Sequence, residues 1–539
     1  MKLVSLLLLG FTLNLHAQTN FDAVSNQRNG GPVDLIFRSN AAPANPFTIQ
    51  FSADFTGPKG IKLILPGFYE GNHTWKIRFY PTAAGKWSVS THADLGDLDN
   101  QERIIYFYNA KKNSQTPKTN KPVSQALVFY KSSKDHGCLI VDQKNTRHFI
   151  YEDGTKWFPI GYECDWLWAL DANDPKLPAI NAFLDKIADS GFNMILINCY
   201  GFDTTWRPGI SSDDDYGPSD LYPWNGTNDQ PDFSHFNLTY WQHFDRVIAA
   251  LYQRGIVAHI YFKVYNKKVN WPKNNSAEDD LYFRWIIARY AAYPNVIWDL
   301  AKEANNEKSV PYKTARLKFI RDADPYHHLL TVHTDIGTYN SGAYNGLVDF
   351  RTDQYQNDVH AVMLKNLTRN PWPVINVESG YEYGPKGPND KTYSSAQSPE
   401  EVARRIWVIQ IAGGYNAYYY TYTAWDVIRP ADTPPGYAYL KNFHDFFKTT
   451  KYWSMAANDS LVSRGYCLTS PGKEYVVFQN DAAPFTLNVA GLKNPLKAIW
   501  YQPYTNKYVN AVQLENGIIT LTPPAEFGAG PVVLHAGGL

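Results

Sequence analysis

The sequence predicts a central (β/α)8 TIM barrel flanked by two β-sandwiches, and three observations carry that expectation. Between about Trp157 and Thr449, short β-favouring apolar runs alternate with stretches of helical apolar spacing, the pattern of repeated βα units. On either side of that region, apolar residues recur at every second position between Gly, Pro and Asn breaks, which suits antiparallel sheets. At 539 residues the chain exceeds one ordinary domain, so two or three are expected. The boundaries are read as a leader at 1–17, a first sandwich at 18–135, the barrel at 136–455 and a second sandwich at 456–539.

The leader reading rests on Lys2, an apolar run from Leu3 to about Leu13, and Leu-His-Ala before Gln18. That is a cleavable secretory signal, too short to span a bilayer comfortably. No Cys stands at the cleavage point, so lipid attachment is not expected, and the protein is expected to be secreted or periplasmic. No later segment reads as transmembrane. The first sandwich is drawn from PFTIQFSADF, GIKLILPGFY, HTWKIRFYP and GKWSVSTHA. It could serve as a carbohydrate-binding module or be purely structural; a packing or substrate-shaping role is the favoured reading.

The barrel strands are expected in order at WFPIGYE, FNMILINCY, IVAHIYFKV, NVIWDLA, HLLTVHT, LVDFRTDQY, PVINVE and NAYYYTYTAW. Helices are expected at Pro178–Ser190, Trp241–Arg254, Ala277–Ala292, Tyr312–Asp322, Val359–Leu367, Ser398–Ala412 and Tyr437–Thr449. Ile180, Phe183, Leu184 and Ile187 give the first helix its apolar face, and Ser-Pro-Glu-Glu at Ser398 is good N-cap chemistry. From Asn458 onward EYVVFQND, FTLNVAGL, KAIWYQPYTNKYV and GIITLTPP return to strand alternation.

Composition narrows the function. Lys+Arg and Asp+Glu are equal at 51 each, so no global field draws nucleic acid or an anionic membrane. Aromatic residues make up 15% of the chain, which suits stacking on sugar C–H faces, although β-rich cores use aromatics too. The four Cys are too few for a disulfide scaffold; Cys164 and Cys199 could pair, but two buried thiols are the expected state. No Cys/His spacing suggests zinc. Ser211–Gly217 is acidic but lacks the ligand spacing of a calcium loop and reads as solvated. No nucleotide fingerprint is present, and no cofactor is expected.

The stretch PNVIWDLAKEANNE holds the strongest chemical signal. The apolar run Asn295–Leu300 reads as a buried strand, and the chain turns polar immediately after it at Glu303. About 75 residues later PVINV delivers Glu378, then Ser379 and Gly380. Parallel strands of a barrel converge at their C-terminal ends, so two strands that each end in a carboxylate bring together a paired acid and nucleophile. A Glu in either place alone could equally cap a strand or pair with a surface Lys.

The sequence PGFYEGNHTWKIRFYPTAAGKWSVST resembles the N-terminal DUF5060 sandwich found ahead of glycoside-hydrolase-like barrels, and HGCLIVDQKNTRHFIYEDGTKWFPIG resembles the passage into such a barrel. The barrel resembles the DUF5060/DUF4038 group of clan A-like glycoside hydrolases that includes apiosidase-like enzymes. PVINVESGYE is similar to its seventh-strand motif. The terminal sandwich resembles the small C-terminal domain attached to DUF4038-type barrels. The resemblance implies a retaining hydrolase of poly- or oligosaccharides, with the acid/base Glu at the end of strand 4 and the nucleophile at the end of strand 7. Counting strands along this sequence puts Glu303 and Glu378 at those places.

Glu382 is then a substitute nucleophile or a supporting partner, and Asp299 a structural residue. Many clan A enzymes carry Asn before the acid/base, where this chain has Lys302. Lys302 is expected either to meet an anionic substrate group or to be tied to Asp299. Other strand-end residues expected to line the site are Glu163, Asp165 and Trp166; Asn198 and Tyr200; and Lys263 and Tyr265. Later ones are His333, Asp353, Tyr355 as a donor to the nucleophile, and Trp425 with Asp426 as a stacking end. Two rivals stay open: a non-catalytic glycan-binding protein on a degenerate barrel, and an inverting enzyme that pairs Glu303 with Asp165.

Overall fold

Eight parallel strands form the centre of the molecule in the computed structural model, which describes residues 23–24, 31–109, 126–131, 135–202, 221–389, 396–423 and 429–537. The leader, Ser211–Gly217, Trp425 and Asp426 lie outside the described residues. The strands are β1 (Ile160–Glu163), β2 (Met194–Asn198), β3 (Val257–Val264), β4 (Val296–Lys302), β5 (Leu330–Thr331), β6 (Arg351–Asp353), β7 (Val374–Asn376) and β8 (Tyr415–Tyr418). They run β5-β4-β3-β2-β1-β8-β7-β6. A parallel bridge between His333 and Thr352 joins the outer two and closes the ring.

The helices between them are α1 (Pro178–Asp189), α2 (Leu238–Arg254), α3 (Ala277–Tyr290), α4 (Val310–Ala323), α5 (Ile336–Ser341), α6 (Val359–Arg369), α7 (Pro399–Ile411) and α8 (Gly436–Lys448). Their ends follow local chemistry. The Ser276 and Ser398 hydroxyls accept from Asp279 N and Glu401 N, and acidic residues fill both first turns, where they offset the helix dipole. α2 begins three residues earlier than expected because Asn237 caps it, its side chain accepting from Thr239 N and Tyr240 N.

Among the described residues, elements that were not anticipated include α5, a hairpin of Trp224–Gly226 with Pro231–Phe236, and the pair Tyr381–Glu382 with Ala396–Gln397. β5 is also much shorter than HLLTVHT suggested, because side chains replace ladder partners there. The Tyr339 hydroxyl meets Val332 N at 3.1 Å, and Asp299 Oδ1 accepts from His333 N at 2.8 Å.

The N-terminal strands make an antiparallel sandwich in which Lys62–Gly71 serves both layers. Its first half pairs with Phe51–Thr56 and its second half with Thr74–Phe79. The strand turns at Pro66-Gly67, where a Cβ on Gly67 would collide with the Phe51 ring. Phe55 and Phe79 stack across the layers at 4.4 Å. The C-terminal domain pairs a six-stranded sheet with a two-stranded one around its own core of Cys467, Val477, Leu487, Trp500 and Leu534. It packs on the barrel through Trp407 of α7 over Phe478 and Phe446 of α8 over Tyr501. All four Cys are buried and free, so Cys164 and Cys199 do not pair. No described helix is long and apolar enough to cross a membrane.

A buried ionic clamp joins the first sandwich to α2 and α3. Arg78 donates to Asp34 at 2.7 Å, to the Arg289 carbonyl at 2.6 Å and to Asp245 at 3.2 Å; Arg289 donates to the same Asp245 at 2.7 Å. The two guanidiniums hold Asp245 well below the usual carboxylate range despite its burial. Asp245→Ala leaves two buried cations short of a counter-charge, and a loss of about 3–5 kcal/mol in urea unfolding is expected. A change under about 1 kcal/mol would mean that the clamp is decorative.

Candidate active site

The C-terminal ends of the strands converge as a barrel requires, and each candidate can be placed from the strand that carries it. Glu303 follows β4 and turns immediately into the left-handed region at φ 55°. A non-glycine residue there is strained by roughly 1–2 kcal/mol. The turn is held by Ala304 N on the His333 carbonyl (3.1 Å) and Asn305 N on the Thr334 carbonyl (3.1 Å). Its side chain stays partly exposed.

Glu378 follows β7 and is only 2% exposed. Val377 N bonds the Asp353 carbonyl at 2.8 Å, and Glu378 N bonds Asn376 Oδ1 at 3.2 Å. The Ser-Gly that follows is also accounted for. Arg405 Nη1 holds the Ser379 carbonyl at 2.6 Å, and Asn416 holds its hydroxyl at 2.8 Å. Gly380 sits at φ 149°, where a Cβ would collide with the Gln397 amide.

The Glu378 carboxyl is perturbed by its surroundings. Burial pushes it up to about 8; the charges of Glu303 and Asp165 push the same way, while Lys302 and a hydrogen bond from Gln354 oppose. Burial and the like charges beside it thus both favour the protonated form of Glu378. Oε2 of Glu378 is buried with no hydrogen-bond partner among the described residues. An acceptor left bare at a strand end is where an electrophile can be met.

Beside this pair lies a fully buried cluster. Lys302 Nζ donates to Glu163 Oε1 at 2.6 Å, to Asp165 Oδ2 at 2.7 Å and to Tyr419 Oη at 3.2 Å. Tyr419 donates in turn to Asp165 at 2.9 Å. Both expectations for Lys302 are therefore corrected. It does not pair with Asp299, which binds His259 at 2.9 Å. Nor is it free for a substrate anion, because its ammonium, taken out of water, is already claimed by two carboxylates. Glu163, its other oxygen bare, is pushed well above the usual carboxylate range by burial. His333 is held neutral by burial and the nearby Lys302 charge, and both its ring nitrogens lack a partner among the described residues.

The remaining predicted residues divide. Asn198 is buried at the end of β2 with its carbonyl oxygen bare. Trp166 and Tyr200 belong to a packed aromatic layer with Trp168, at 6.2 and 5.3 Å. Tyr355 does not serve Glu378; its hydroxyl engages Asn366 and Arg351, and the donor to Glu378 is its neighbour Gln354. Glu382 lies apart, receiving Tyr418 Oη at 2.8 Å and Gly436 N at 3.2 Å. Burial lifts it to about 7. Lys263 and Asp353 also turn away, Lys263 onto Asp279 at 2.6 Å and Asp353 onto Arg351 at 2.8 Å.

Gln354, Tyr419 and Tyr261 were missed by sequence reasoning. Each stands on or just beyond a barrel strand, so inward alternation along TDQY, YYYTY and IYFKV was the signal available. No group of His, Cys, Asp and Glu able to hold a metal occurs among the described residues.

The profile of the apiosidase-like catalytic domain matches residues 143–466, and that of DUF5060, a domain of unknown function, matches 31–94. No curated protein matches the chain. Among solved structures, a provisionally assigned glycoside hydrolase from Bacteroides vulgatus superposes with a TM-score of 0.74 at 19% identity. That alignment covers 94% of this chain and 98% of the other. A family 5 glycoside hydrolase from the same organism gives 0.58 at 18% identity, covering 74% and 93%. At these identities the structures establish the shared barrel.

Proposed function

Because the chain belongs to the apiosidase-like family and is a glycoside hydrolase, we propose that it works by a retaining double displacement with Glu378 as nucleophile and Glu303 as acid/base. The observation that carries this reading is the placement of the two glutamates just after β4 and β7, where Glu378 offers a bare, buried oxygen. In the first step Glu378 Oε2 forms a bond to the anomeric carbon as the glycosidic C–O bond breaks, and Glu303 gives its proton to the leaving oxygen. In the second, Glu303 takes a proton from water as that water attacks the anomeric carbon and releases Glu378. Such a pair works at about 5–5.5 Å.

Burial suits Glu378 to this task. A desolvated carboxylate is the stronger nucleophile, and the developing oxocarbenium charge stabilises it in the transition state. The partly exposed Glu303 meets water for the second step. The inverting alternative leans on Asp165, which is fully buried with Oδ2 committed to Lys302 and Tyr419 and Oδ1 bare, so the configuration of the product separates the two readings.

The test is release of reducing sugar from a panel of plant and algal glycans, with apiosides included on the strength of the family's name. The first product formed is then followed by proton NMR. The product should keep the configuration of the substrate's anomeric centre. Inverted product would remove the double-displacement reading, and binding without cleavage would favour a glycan-binding protein.

A further inference from the structure

We propose that Lys302 is the positioning residue of this site, an ammonium fixed between β1 and β8 that holds Glu303 in place and favours the anion of Glu378 against the neighbouring carboxyls. The inference rests on Glu378 being the nucleophile. Its first support is geometric. Lys302 is the last residue of β4, and the chain reverses at Glu303 immediately after it. Contacts of 2.6 Å to Glu163, 2.7 Å to Asp165 and 3.2 Å to Tyr419 pin that strand end across the barrel. The take-off point of Glu303 is thereby fixed by three groups from two other strands.

The second support is the charge inventory around Glu378. From β1 come Glu163 and Asp165, and from β4 comes Glu303, all of one sign. β5 presents His333, held neutral. β3 presents Tyr261, and His259 in its pair with Asp299. β6 presents Asp353, whose carboxylate is turned onto Arg351, and β8 presents Tyr419. From α7, Arg405 binds the Ser379 carbonyl and Glu401 rather than the Glu378 carboxyl. Of the charges that reach Glu378, Lys302 is the largest, and it favours the anion against Glu303 and Asp165. In so dry a site an ammonium acts over a longer distance than it would in water.

A purely structural ion pair would build the same contacts, so the test must read the proton on Glu378 rather than the fold. Unfolding midpoints are measured from pH 4 to 10 in roughly one-unit steps for the wild type and Glu378→Gln. They are repeated in Lys302→Gln and Lys302→Arg backgrounds. The stability gap between Glu and Gln at position 378 grows with pH until Glu378 ionises in the folded protein, then levels off. The levelling should move up by at least about one pH unit in the Lys302→Gln background and stay near its original place with Arg.

An unmoved break in every background would overturn the proposal and leave Lys302 a barrel-building residue. If Lys302→Gln does not fold, the charge-neutral Asp165→Asn/Lys302→Gln pair replaces it, with a smaller upward movement expected because Asp165 opposes Lys302 at Glu378. This readout needs no substrate. A glycan panel without any cleavage would therefore sink the catalytic reading while the break still decides on Lys302. With a substrate in hand, the acidic limb of kcat/KM should shift with the break.

Discussion

Glu378→Gln is expected to lower kcat by roughly 10⁴–10⁶-fold while making the folded protein more stable at pH 8. The activity loss follows from removing the only atom proposed to bond the anomeric carbon; an amide of the same shape cannot form the glycosyl ester. The stability gain follows from the same burial. Glu378 is raised from its ordinary value of 4.5 to about 8, so the native state binds the proton more tightly than the unfolded chain does. Stability contributed by the protonated form is then fully present below about 4.5. It is lost as pH rises toward 8, because the unfolded state releases a proton that the native state must keep. Glutamine has no such dependence.

The advantage of Glu378→Gln should therefore be absent near pH 4, grow through that window and level off above it. Its plateau is a few kcal/mol, at roughly 1.4 kcal/mol for each pH unit that the window spans. Thermal or urea unfolding across pH checks the second half, and turnover on the best panel substrate checks the first. A variant equally active, or one whose stability tracks the wild type at every pH, removes Glu378 from the role.

The parts of this site legible in the sequence are those that local pattern dictates. β4 and β7 are short apolar runs ended abruptly by a carboxylate, and barrel topology alone places such ends on one face. Ser379-Gly380 could be read as a motif, but its reason could not. It needs Arg405 from α7 and Gln397 from the short strand before it, residues brought together only by the fold. Lys302 shows the same limit more sharply. Next to Glu303 in sequence, it suggested a substrate-facing cation or a local pair with Asp299. Its partners are 139 and 137 positions away on β1, and long-range charge pairing leaves no period or spacing to detect. Tyr355 failed by a single residue: its neighbour Gln354 is the group that meets Glu378, and β6 ends at Asp353, too short for alternation to fix that register.

Glu303→Ala should separate the two catalytic steps. A general acid matters in proportion to how poorly the aglycone leaves, so cleavage of a sugar–sugar bond is expected to fall by about 10²–10⁴-fold. A dinitrophenyl glycoside of the same sugar needs no proton to depart, and its first step should be nearly intact. Turnover of that substrate would then stall at the glycosyl ester, because no base activates water, and a burst of dinitrophenol should precede a slow steady state. Azide, a nucleophile that needs no base, should restore turnover and give a glycosyl azide with the substrate's own anomeric configuration.

The partial exposure of Glu303 makes this rescue accessible, since water or azide must reach the anomeric carbon from the same side. Equal losses on both leaving groups with no azide response would place Glu303 among the structural residues of β4. The proton donor would then have to be sought in Glu163, the carboxyl that burial pushes well above the usual range beside Lys302. Glu163 has no exposed surface from which to meet solvent, and its Oε1 is held by Lys302. A donor so enclosed could protonate a leaving group but could not readily serve water in the second step. The two carboxyls thus predict different responses to azide, and that response separates them.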